Sequence, residues 1–119
     1  MNYIELNERI ITAFTKKLNG LGRVDKINPE CEAGLAYSLM VMERIMKYYD
    51  VIDDDKNRRA NRAYFKTVRI LSYRLNGGSN RIDVIEDENI KAGIRYALSV
   101  MAAQRKYLYY SRPKSKPKE

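Results

Sequence analysis

Ten residues occur twice in this chain in nearly the same form: AGLAYSLMVM at 33–42 and AGIRYALSVM at 92–101, fifty-nine positions apart. The likeness extends towards the N-terminus. LNGLGRVDKI at 18–27 matches LNGGSNRIDVI at 75–85, so a helix end, a loop and a helix recur in the same order. One residue is inserted in the second loop and another before the following helix, which moves the offset from 57 to 59. A matched series of this length reads as an internal duplication of about 58 residues. Two units are too few for an open solenoid, so the expected product is one closed domain.

Each unit reads as helix, loop, helix. Asn2 with Glu5 three positions on is the amide form of a capping box. Ile10, Ile11, Phe14 and Leu18 then recur at helical spacing, and Asn19-Gly20 closes the run. Asn28-Pro29 opens a second helix, expected to reach about Tyr49. Asp53, Asp54 and Asp55 offer a cap for a third, whose apolar stripe is Phe65, Val68, Leu71 and Leu75, closed by Asn76-Gly77-Gly78. Asp87 and Glu88 start a fourth, running to about Tyr110 before Pro113 forbids more. RVDKI and RIDVI alternate polar and apolar residues; they read as loops pinned by Val24, Ile27, Ile82 and Ile85, and also fit a short strand pair. Arg23 and Arg81 in those loops read as structural, with a paired anion contact as the functional alternative.

From Leu35 to Met42 only Ser38 interrupts an apolar run, and from Ala97 to Ala103 only Ser99 does. Helices apolar on nearly every side are buried on nearly every side, which puts helices two and four at the centre. Gly34 with Ser38, and Gly93 with Ala97, set small groups four apart on one face, so the two backbones can approach closely. The fold expected is therefore all-α, a single four-helix domain over 1–111, built from two similar helix-loop-helix repeats at about 2–58 and 59–111. Residues 112–119, lacking apolar side chains, are expected to form a flexible, disordered basic tail.

Function is less legible. Histidine is absent and Cys31 is the lone cysteine, which removes the commonest general base, the usual zinc ligands and any intrachain disulfide. The chain is expected not to be an enzyme and to use no cofactor. The acidic runs Asp53–Asp55 and Glu86–Glu88 lack the spacing of a calcium loop, so no metal is expected. No stretch approaches the roughly 18 apolar residues of a membrane span, and the N-terminal sequence is unlike a signal peptide. A cytoplasmic location without membrane contact is expected.

A net charge of +8 favours an anionic partner. At 100° per residue, Arg58, Arg62, Lys66, Arg69 and Tyr73 share one narrow sector of the third helix, and Tyr64, Phe65 and the rest of its apolar stripe are read as the core face. No acidic residue lies between Lys56 and Arg74. Cations one turn, about 5.4 Å, apart suit a phosphate backbone, and arginine's planar fork suits phosphate oxygens. Arg58, Arg59 and Arg62 oppose the helix dipole at its start, which points to a use for them; the alternative is local i,i+4 pairing of Asp54 with Arg58 and Asp55 with Arg59. Lys106, Arg112, Lys114, Lys116 and Lys118 form a second cluster, interleaved with Tyr107, Tyr109 and Tyr110. The expected function is non-catalytic binding of DNA or RNA through these cations, together with Tyr73. The alternative is a small adaptor or inhibitor that binds an acidic or nucleic-acid-like protein surface. A homo-oligomer is compatible with either.

Overall fold

The computed structural model describes residues 2–110, with side chains through Leu108. Arg112, Lys114, Lys116 and Lys118, and the expected tail, lie outside the described residues. Four helices make up the fold: α1 (Tyr3–Asn19), α2 (Pro29–Ile52), α3 (Lys56–Asn76) and α4 (Glu88–Tyr110). Among the described residues there is no strand, and no helix is long and apolar enough to cross a membrane.

The boundaries follow local chemistry. Asn2 Oδ1 accepts from Glu5 N at 3.0 Å while Asn2 N donates to Glu5 Oε1 at 3.1 Å, closing the capping box of α1. Asp55 caps α3 by accepting from Arg58 N, and Asp87 accepts from Asn89 N and Ile90 N at the start of α4. Asn28, expected to cap α2, makes no side-chain cap bond; Pro29 alone sets that start. Gly20 and Gly77 stop α1 and α3 at φ 62° and 84°, backbone that side-chain-bearing residues resist. The loops that follow are fastened alike: Ile27 N donates to Lys17 O and Ile85 N to Arg74 O, both at 2.8 Å. These bonds use the groups a strand pair would need, and the segments remain loops.

α2 and α4 make the closest approach. A Cβ built on Gly93 would sit 2.5 Å from Gly34 Cα and 2.6 Å from Leu35 N, and one on Gly34 would sit 2.7 Å from Gly93 Cα. The two backbones touch, with Ser38 beside them returning its hydroxyl to Gly34 O at 2.8 Å. Even so, α1 and α3 also touch each other and both of the other helices. The expectation that α2 and α4 are buried on nearly every side therefore needs correction. Ala36, Met40, Ala102 and Ala103 face water, because two flanking helices cannot enclose two others. α2 also runs a turn past Tyr49, leaving Val51 and Ile52 85% and 52% exposed.

Inside, buried positions correspond at the sequence offsets. In the outer helices Leu6, Asn7, Ile10 and Phe14 stand 57 residues before Ala63, Tyr64, Thr67 and Leu71. In the crossing helices Leu35, Ser38 and Met42 stand 59 before Ile94, Ala97 and Met101. Contacts between halves are exchanged in the same way. Lys17 Nζ lies 5.9 Å over the Tyr96 ring, and its counterpart Arg74 lies 5.8 Å over Tyr37, with Nε donating to Tyr37 OH.

Candidate nucleic-acid interface

Two helices and the three residues between them set up this face. α2 ends at Ile52, and Asp53, which caps it, has a side chain 4% exposed. Asp53 accepts from Arg58 Nε at 2.7 Å and Arg58 Nη2 at 2.8 Å, a two-pronged pair, and from Asp55 N at 3.0 Å. The Arg58 hydrogen bonds, followed by that of the Asp55 amide, hold the Asp53 carboxyl at about 2, against the usual 3.8; Arg58 is correspondingly raised. Its folded value lies below its unfolded one, so the stability it contributes is complete above 3.8 and is lost as pH falls towards 2. Acid titration of urea midpoints should show that loss in the wild type, and Asp53→Asn should flatten the curve across the same window.

Arg59 turns the other way. It pairs with Asp50 at 3.1 Å and donates to Asp53 O at 2.9 Å. The pairing at this helix start is thus Arg58 with Asp53 and Arg59 with Asp50, in place of the i,i+4 partners expected from spacing. Both guanidinium groups tie α2 to α3, and neither is left wholly for an outside anion.

The remaining cations stay in water. Among the described residues Arg62 is held by a 3.9 Å approach of Nη1 to Asp53, and Lys66 and Arg69 are exposed. The three line one depression with Tyr49, Asn61 and Phe65. Phe65 was expected in the core stripe. It is instead 38% exposed, under the Arg105 guanidinium at 5.0 Å, because its neighbour Tyr64 takes the inward position at 3% exposure. Tyr64 OH donates to Met101 O, and burial pushes its pKa up to about 12. Tyr73 follows Arg69 by four residues on the same face, outside the depression. Its ring would stand 3.5 Å from a Cβ on Gly78, so it covers the turn after α3.

On α4, Lys106 is exposed and Arg105 Nε donates to Tyr3 OH at 3.0 Å. Tyr107 is 46% exposed beneath Arg9, 5.2 Å from its ring. Leu108 lines a second depression with Asn2, Tyr3, Arg58, Asn61 and Arg62, so α4 ends beside the start of α3. The helical spacing located the cations; what it missed was Tyr49, Asn61, Phe65 and the role of Asp53. Three consecutive aspartates carry no mark of which one is buried. No known family model matches this chain, and neither a curated protein nor a solved structure does.

Proposed function

We propose that this protein is a non-catalytic nucleic-acid-binding protein that holds phosphates on the outer face of α3. One observation carries the reading: Arg62, Lys66 and Arg69 stand exposed on one face, around a single depression with the rings of Tyr49 and Phe65. Cations give sequence-independent affinity, and rings beside them suit bases. Lys106 and the cations Arg112, Lys114, Lys116 and Lys118 add to the same term. Arg58 and Arg59 serve mainly to join α2 to α3, and Tyr73 extends the contact face one turn beyond Arg69. The two halves are read as one duplicated unit, supported by the matched buried positions and the exchanged Lys17–Tyr96 and Arg74–Tyr37 contacts. In the same reading α2 and α4 form the central pair.

Binding measured across a salt series tests the proposal. Log affinity for a DNA duplex should fall linearly with log salt. Arg62→Glu, Lys66→Glu and Arg69→Glu should each reduce the slope by about 0.9, the loss of one phosphate contact. Slopes unchanged by all three variants, or no binding to duplex or single strand at low salt, would remove this reading. The second reading, an adaptor for an acidic protein surface, is favoured by Tyr48, Val51 and Ile52 at the end of α2, exposed by 59%, 85% and 52%.

A further inference from the structure

The halves correspond position by position in the core, and they part at one place. Tyr64 lies with its ring 5.6 Å from Tyr3 and 5.1 Å from Phe65, and Arg105 covers Phe65. At offsets of 57 and 59 residues the counterparts of Tyr64, Tyr3, Phe65 and Arg105 are Asn7, Ala60, Glu8 and Met46. All four of these line a single cavity of about 130 Å³ between α1, α2 and α3. Where one side of the domain holds two phenol rings, the other holds an amide and a methyl group. The missing bulk is left as space.

The chemistry of that space is specific. Asn7 is 1% exposed, and its Nδ2 donates to Ala60 O at 3.0 Å, which fixes the amide orientation. Asn7 Oδ1 is buried, and no donor reaches it among the described residues. Ile4, Met46, Ala60 and Ala63 give the cavity apolar walls, while Glu8, Lys56 and the Asp50–Arg59 ion pair stand at its rim, Asp50 and Arg59 occupied with each other at 3.1 Å. The space, about 130 Å³ and open at its rim, is close to the ~150 Å³ of an enclosed cavity that takes benzene, so it suits one ring entering from the rim. A ring bearing a hydroxyl would meet apolar walls and donate its hydrogen to Asn7 Oδ1. Across the molecule the Tyr64 hydroxyl likewise donates, to Met101 O.

We infer that this cavity is a binding site for one phenol ring, presented by a free phenolic molecule or by a tyrosine side chain of another chain. The inference uses the matched positions only as geometry; it needs neither the nucleic-acid reading nor a duplication in the chain's history.

Phenol and toluene differ by hydroxyl against methyl, which makes them the probes. In methyl-detected NMR titrations of the full chain, both should shift the Ala60, Ala63 and Met46 methyls, with phenol binding about tenfold more tightly. Asn7→Leu, checked for a cooperative melt, should bring that ratio to about one by removing the acceptor. Ala60→Leu should fill the cavity and abolish both titrations while the helical circular dichroism is kept. N-acetyltyrosinamide separates the sources: binding at the same methyls identifies a tyrosine side chain, and its exclusion while phenol binds identifies a free phenol. Equal binding of phenol and toluene to the wild type would overturn the inference. So would unperturbed cavity methyls up to toluene's solubility limit, or a phenol preference that survives Asn7→Leu.

Discussion

Gly93→Ala and Gly34→Ala should each destabilise the domain by about 2–3 kcal/mol, although alanine is the better helix former by about 1 kcal/mol. The sign is set by the crossing. A methyl at 93 would be driven against Cys31 O and to 2.5 Å from Gly34 Cα, atoms of a backbone that cannot turn aside. α2 and α4 would have to separate, loosening Leu35, Met42, Ile94 and Met101 around them, all fully buried. Each glycine abuts the other, so the double variant should cost clearly less than the sum of the singles. Urea unfolding of the three variants measures this. A stability equal to or above wild type for either single variant would mean that the helices do not meet there.

Tyr64→Ala should cost about 3–5 kcal/mol, as expected for deleting a buried aromatic ring. Tyr64→Phe keeps the ring and loses only the hydrogen bond to Met101 O, so it should cost about 1 kcal/mol. Alkaline titration supplies a second test. Burial raises the Tyr64 pKa from 10.0 to about 12, above its unfolded value. The stability tied to that shift is complete below 10 and is lost as pH climbs towards 12. Tyr64→Phe should lose less stability than the wild type over that range. Parallel pH curves for the two proteins would show that Tyr64 does not contribute through its ionisation.

The helices were legible because their ends carry local chemistry: Asn2 with Glu5, Asp55, Asp87 and the positive-φ glycines are read without knowing the fold. The crossing was legible because Gly34 and Gly93 sit inside copies of one decapeptide, where small groups have a packing use. Facing was harder. Tyr64 stands four, seven and eleven residues before Val68, Leu71 and Leu75 on the core face, while Phe65, three after Arg62 and four before Arg69, falls at the edge of the cationic face; reading both aromatics into one stripe overlooked that step of 100°. Partners of the arginines depended on how α2 ends, a turn beyond the expected place, and this carried Asp50 and Asp53 to Arg59 and Arg58. The cavity at Asn7 was hidden for another reason. Matched positions in α1 and α3, such as Leu6 with Ala63 and Ile10 with Thr67, share place but not identity, so the offset pairs Asn7 with Tyr64 but only coordinates show the space beside Asn7.

α4 finishes where α1 and α3 begin, with Leu108 beside Asn2, Tyr3 and Arg58. The carbonyl end of one helix thus faces the amide ends of two others, fractional charges of about half an electron and opposite sign. Two amide ends outweigh one carbonyl end, so the first turn of α3, which opens on Lys56, Arg58 and Arg59, sits in a field that stays positive, and the carboxylates of Asp53 and Asp50 are what answer it.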